Sequence, residues 1–357
     1  MSNLSSLTPE QDQLAISVIR GIAMDGPLAA NSGHQGTAMA LAPLAHVLFS
    51  RVMRYNPAEP DWVDRDRFIL SAGHASILQY AMLHLSGTSL SADDLRAFRQ
   101  WGSATPGHPE AGHTPGVEVT TGPLGQGFAN AVGMAISERL LREQFGPDAI
   151  SHHTWVIAGD GCLMEGVSHE AASLAGHLGL DRLVCVFDDN RITIDGDTDL
   201  AASDDVAARF RAYGWDVAEL GEIGEDLDAL ETALETSRTP NGKPRLLVLR
   251  THIGFPSPDH TDSHAAHGLA FSAEDVARTK AVMGIPDEPF YLPADLIESY
   301  REVTTSAGTH AYSSWQSASH DARQRSDWNI IFGATPPDLA DVLPSWDLGS
   351  KVATRKA

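Results

Sequence analysis

Apolar residues set the first landmarks along the chain. Leu14, Ile16, Ile19, Ile22 and Ala23 recur at helical spacing and predict an N-terminal helix. A second helix, carrying Met39, Leu41, Leu44, Val47 and Leu48, is predicted to follow the loop "NSGHQG". "RFILSAGHAS" reads as a short strand, Phe68–Leu70, turning into a helix through Gly73 and His74. "TTGPLGQGFANAVGMAISERLLREQF" has the same form: a glycine-rich turn, then a helix through Ala129, Val132, Gly133 and Ile136, whose small residues permit close packing. Next come an apolar run at Trp155–Ala158, a helix over 165–178, a second run at Leu183–Phe187, a helix near 204–213 and the run "RLLVLRTHIG" at 245–254.

Strands alternating with helices predict an α/β fold: a mainly parallel sheet with helices on both faces. Ligands of such sheets lie at the carboxyl ends of the strands. After about Phe271 the chain becomes polar and loses its strand pattern, and 272–357 reads as a helix followed by an extended linker arm.

Composition narrows the partners without naming one. The 357 residues are 42% hydrophobic and 20% charged, as in ordinary globular proteins. A formal charge of −22 argues against nucleic acid and anionic membranes. No basic start precedes an apolar core at the N-terminus, and no stretch reaches the length of a membrane span, so a cytoplasmic protein is expected. Cys162 and Cys185 each sit beside an apolar run, as buried reduced thiols would.

Two strand ends carry the candidate chemistry. Val156–Ala158 leads into Gly159-Asp160-Gly161, and Leu183–Phe187 leads into Asp188-Asp189-Asn190. A carboxylate between glycines ahead of a helix suits a phosphate held through a divalent cation, since Mg²⁺ and Ca²⁺ take oxygen ligands. Asp160 and Asn190, one strand–helix–strand unit apart, are expected to converge on one ion, with a carbonyl from the loop after Asn190. His34, His74 and His108 each lie in a glycine- or proline-containing loop, where imidazoles titrating near neutrality can move protons in either direction. His84, His152, His153 and His177 lack such settings and read as structural or surface residues.

GDG followed by a strand ending in Asn is the signature of thiamine-diphosphate enzymes. "SGHQG", "DRFILSAGHAS", "TPGHPE", "TTGPLGQGFANAVGMAISE" and "GDGCLMEGVSHEAASLAG" resemble transketolases, in transketolase order, over roughly residues 12–275. The resemblance implies a thiamine-diphosphate-binding fold over 1–275 and a linker arm over 276–357. It implies thiamine diphosphate with Mg²⁺ or Ca²⁺, the metal held by Asp160, Asn190 and the Ile192 carbonyl. Gly161 and His74 match diphosphate contacts, Gly122 and Leu124 the turn against the aminopyrimidine, and Ile192 and Ile194 residues along the rings. Glu165 and Glu170 match acidic residues that link two active sites near a dimer interface. His34, His74, His108 and His267 match the histidines around the reacting carbons, with His264 a competitor for the last position.

Departures from the family pattern are local. Gln35 stands where the family usually has proline, which is expected to loosen the loop holding His34; Ala72 replaces a more usual polar residue. The run after His267, Gly268-Leu269-Ala270-Phe271, also differs and implies a reshaped pocket.

In transketolases the glutamate that activates the aminopyrimidine lies on a second, pyrimidine-binding domain of the other subunit. No segment of this sequence matches that domain. The implied function is therefore the N-terminal component of an enzyme moving a two-carbon ketol unit from a ketose, typically a sugar phosphate, to an aldose. Activity would need a pyrimidine-binding C-terminal subunit in an α₂β₂-like assembly with a dimeric core; a piece of a single-chain enzyme is the other explanation. Alternatives are a dihydroxyacetone-synthase-like or deoxyxylulose-phosphate-synthase-like transferase, of which "TPGHPE" favours the former, or a non-catalytic cofactor-binding or assembly subunit.

Overall fold

The computed structural model describes residues 6–333, 343–347 and 349–353. Its main sheet has five strands: β1 (Arg67–Leu70), β2 (Thr154–Gly159), β3 (Leu183–Asp189), β6 (Asp216–Gly221) and β7 (Arg245–Arg250). All neighbours pair in parallel in the order β1-β2-β3-β7-β6. A two-stranded hairpin of β4 (Ile192–Thr193) and β5 (Gly196–Asp197) follows β3.

Strand alternation divides the core between the two faces of the sheet. Phe68, Trp155, Ile157, Val184, Val186, Leu247 and Leu249 pack under helices Pro9–Ala30, Gln35–Ala40, Ala42–Val47 and Ser76–Leu85. Ile69, Val156, Ala158, Cys185, Phe187 and Leu246 point the other way, against helices Gln126–Phe145 and Gly166–Leu178. This period of two is what a sheet covered on both faces requires. Each fully buried aliphatic or aromatic side chain contributes about 1.5–3 kcal/mol relative to exposure.

Local signals start and stop these helices. Thr8 and Gln11 form a reciprocal capping box ahead of Pro9, and Asn31, at φ 48°, ends the first helix in a left-handed turn. The expected second helix is broken into Gln35–Ala40 and Ala42–Val47, because Pro43 lacks the N–H that would continue it. β6, an edge strand, and helix Leu227–Ser237 had no counterpart in the sequence pattern.

Beyond the sheet, the polar region expected as a helix and an extended arm is helical over Ala273–Met283, Ala294–Ala318, His320–Arg323 and Ser326–Phe332. These helices are docked: Leu296 and Tyr300 join the main core, while Trp315 and Trp328 pack with Trp62 and Phe145. Of the rest of the expected arm, 334–342, 348 and 354–357 lie outside the described residues.

Candidate functional site

A cavity of about 390 Å³ opens at the carboxyl ends of β1, β2 and β3. Strand register builds it. Gly159 of β2 lies opposite Asp188 of β3, so the residues that follow, Asp160 and the Asp189-Asn190 end, emerge side by side. On the other side, Ser71 and Ala72 donate to the Ile157 carbonyl at 2.9 and 3.2 Å, delivering the Gly73-His74 turn to the same edge. That turn abuts Gly122: a Cβ on Gly73 would meet the Gly122 nitrogen at 2.8 Å, and Gly122 itself adopts φ +139°.

The wall takes in His34, His74, His108, His267, Gly122, Leu124, Asp160, Gly161, Asn190, Ile192 and Ile194, gathered from loops far apart in sequence. Glu165 and Glu170 do not line it; both are exposed, at the start of helix Gly166–Leu178. His264 is also exposed, at the N-cap of the short helix Ala265–Gly268, whereas His267 faces the cavity. His84, His152 and His153 are buried elsewhere, bonded to the Leu90 carbonyl, Asp64 and the Arg238 carbonyl. Gln35 is fully buried and hydrogen-bonded to Leu269, so the loop is fastened at the residue expected to loosen it.

Three histidines form a compact group. The His74 and His267 rings stack at 5.0 Å, and His34 meets them edge-on at 5.3 and 5.8 Å. His108 is set by its loop, whose Pro106 and His108 carbonyls accept from Tyr80 Oη and whose Gly107 carbonyl accepts from Ser76 Oγ. Burial drives all four towards the neutral form: His34 to about 4, with His267, Arg99 and His108 adding to the effect, and His74 well below its ordinary value. His108 is lowered by burial and by Arg99, and His267 by burial. His34 Nδ1 and His267 Nδ1 are buried without partners.

The opposite wall is acidic. Burial, then Asp188 and Asp189, raise the Asp160 carboxyl to about 7, although backbone N–H groups partly offset this. Asp160 Oδ2 is buried and has no hydrogen-bond partner. Asp188, with no exposed surface, accepts from Asn190 Nδ2 at 2.9 Å and from Thr251 Oγ1. Asn190 Oδ1 accepts from the Ile192 N–H at 2.9 Å, closing a tight turn in which Arg191 is left-handed at φ 62°. Among the described residues no lysine or arginine lines the cavity. An anionic ligand beside these carboxylates would therefore need a cation between them, and oxygen donors such as the unpaired Asp160 oxygen and the Asn190 amide, both on this wall, suit Mg²⁺ or Ca²⁺.

Sequence reasoning missed Asp188, Thr251 and Thr37, whose Oγ1 lies 3.4 Å from His74 Nε2. The Asp188-Asp189-Asn190 run was visible, but which carboxylate turns inward depends on strand register.

Comparison with known proteins agrees with this geometry. Residues 11–328 match the family model described as transketolase, thiamine diphosphate binding domain. A chloroplastic transketolase of Zea mays is 45% identical over 349 residues, covering 95% of this chain and 52% of the relative. The transketolase of Geobacillus stearothermophilus is 43% identical, covering 97% and 53%. Among solved structures, a Pichia stipitis transketolase complex with sedoheptulose 7-phosphate superposes with a TM-score of 0.91 at 42% identity, covering 97% of this chain and 52% of that one. The Campylobacter jejuni transketolase gives 0.87 at 35% identity, covering 95% and 52%. The chain thus spans about half the length of the curated relatives it matches. With two glycine turns, a histidine group and an acidic strand end meeting in one cavity, and with the family match running through them, this chain belongs to the transketolase family, in its thiamine-diphosphate-binding domain.

Proposed function

We propose that the chain is the diphosphate- and metal-holding half of a transketolase-type enzyme that moves a two-carbon ketol unit from a ketose to an aldose. The observation that carries this reading is Asp160: a carboxylate with a buried, partnerless oxygen, on the wall of a cavity that no lysine or arginine lines among the described residues. Asp160, Asn190 and the Ile192 carbonyl would hold Mg²⁺ or Ca²⁺; Gly161 and His74 would contact the diphosphate, with Gly122, Leu124 and Ile194 along the rings. When bound, thiamine diphosphate supplies a nucleophilic thiazolium carbon that carries the ketol unit.

The histidines do the proton work around it. Each neutral imidazole has one N–H and one acceptor nitrogen, so it can accept or deliver a proton at a substrate hydroxyl or carbonyl without an intervening water. The Nδ1 atoms of His34 and His267 are buried and have no partner within the described residues. Burial that keeps the rings neutral also keeps bulk water from them.

The rest of the site, in this reading, comes from a pyrimidine-binding C-terminal half on a separate chain, joined to a dimeric core in an α₂β₂-like assembly. At the rim of the cavity wall, Leu124 and Ile194 are 40% and 66% exposed, leaving apolar surface beyond the ring contacts for such a partner to cover. Glu165 and Glu170 would lie near that interface. Sugar phosphates are the proposed substrates, and sedoheptulose 7-phosphate is bound by the Pichia stipitis relative. No helix among the described residues is long and apolar enough to cross a membrane.

Calorimetric titration with thiamine diphosphate tests the reading. Binding should require Mg²⁺ or Ca²⁺ and be lost in Asp160→Ala; unchanged affinity in that variant would refute the assignment.

A further inference from the structure

The loop carrying His34 and the segment carrying His267 are joined by a side chain outside the cavity wall. Gln35, the first residue of helix Gln35–Ala40, has no exposed surface, and its Nε2 donates to the Leu269 carbonyl. Leu269 is where the short helix Ala265–Gly268 ends, and a helix end leaves carbonyls in need of donors. Gly268 and Leu269 are exposed, and among the described residues no other hydrogen bond joins 268–271 to a neighbouring element.

Packing one residue further on makes this tie effective. The Gly36 carbonyl accepts from Gly254 N at 3.0 Å, and a Cβ on Gly36 would meet the Ala266 carbonyl oxygen at 2.5 Å, so the two backbones lie flush. Across the same seam the His34 and His267 rings meet at 87°, and a Cβ on Gly268 would sit 3.6 Å from the His34 ring.

We infer that Gln35 is a positioning residue: its carboxamide clamps the Leu269 carbonyl and thereby sets His267 against His34. The clamp is one donor deep. Gln35 Oε1 is buried without a partner, so replacing the amide by a hydrophobe of equal length removes one hydrogen bond and one unsatisfied acceptor. Leu269 itself is 66% exposed, so the segment has room to move away from a side chain that offers no donor. Gln35→Met should therefore fold while releasing the segment.

That the paired histidines serve proton transfer rests on the ketol-transfer reading; the clamp itself is tested without it. With histidine rings labelled for NMR, Gln35→Met should shift the His34 and His267 resonances and leave those of His46 and His153 in place. Amide exchange over 266–270 should quicken at least ten-fold. Leu269→Ala should change neither, because the bond is to the backbone. In the unmutated chain the Gln35 side-chain NH₂ should exchange slowly and show a nuclear Overhauser contact to residue 269. Unmoved His34 and His267 signals in Gln35→Met, equal movement of His46 and His153, or free exchange of the Gln35 NH₂ in the unmutated chain would overturn the proposal. The last measurement decides even if Gln35→Met does not fold. Absence of cation-dependent cofactor binding would refute the proposed function and leave these spectra as they are.

Discussion

Asp188 holds Asn190: a carboxylate with no exposed surface accepts from the Asn190 Nδ2 at 2.9 Å, while Thr251 Oγ1 donates to its other oxygen. The bond assigns the Asn190 amide, fixing its Nδ2 inward and its Oδ1 on the side of the Ile192 N–H and the cavity. Groups behind a metal ligand typically govern affinity by 10–100-fold. Asp188→Ala should weaken Mg²⁺-supported thiamine-diphosphate binding by about that factor, read by calorimetry. Affinity within two-fold of the unmutated chain would show that Asn190 needs no such support.

Asp160 titrates in the opposite sense to an ion-paired carboxylate. Its folded value of about 7 lies above the ordinary 3.8, through burial first and the neighbouring Asp188 and Asp189 next. Such a group contributes stability that is present below the unfolded pKa and is lost as pH rises to the folded one. Without metal, the ionised form above pH 7 is therefore the destabilising one. Asp160→Asn should raise the Tm of the metal-free chain by about 2 °C or more at pH 8, with the difference shrinking towards zero at pH 4. An equal difference at both pH values would contradict the assignment.

His34 provides a second pH test. Burial, reinforced by His267, Arg99 and His108, lowers it to about 4, so its contribution to stability is present above the ordinary 6.5 and lost as pH falls towards 4. Its ring carbon resonance should stay at the neutral position from pH 8 down to pH 5. A midpoint near 6.5 would mean that the ring is solvated and the histidine group is not closed as described.

Lys280 and Asp25 fasten the C-terminal helices to the first helix. Lys280 Nζ, 1% exposed, donates to both Asp25 oxygens at 2.8 and 3.0 Å and to the Glu288 carbonyl at 2.7 Å. Removing one partner leaves a buried charge uncompensated, so Lys280→Met should cost about 3–5 kcal/mol in urea unfolding. Lys280→Met with Asp25→Leu should recover only part of this, because the Phe290 N–H loses its acceptor. A loss under 1 kcal/mol in the single variant, about that of a surface pair, would contradict the role.

Most of the sheet was legible because its central strands are buried on both faces and read as apolar runs: Trp155–Ala158, Leu183–Phe187 and the start of 245–254. β6 escaped because an edge strand needs no such run, and "DVAELG" is only partly buried. Helix Ala294–Ala318 escaped for a related reason: it buries a few widely spaced residues, such as Leu296, Tyr300 and Trp315, in a polar sequence. Within the site, glycine turns and loop histidines stood out as residue types. Gln35 stood out only as a departure from the family pattern, and with the opposite effect expected, because what it does depends on meeting Leu269, more than two hundred residues away. Two of the places at which the sequence departs from the family pattern, Gln35 and the run after His267, touch each other, a relation that only the fold displays.

We propose that this chain forms half of a ketol-transfer site. The most direct test is ketol transfer from a sugar-phosphate donor, with thiamine diphosphate and Mg²⁺, measured for the chain alone and after addition of a transketolase pyrimidine-binding half. No transfer by the chain alone, and transfer once the second half is added, is the expected result. Full turnover by the chain alone would contradict it.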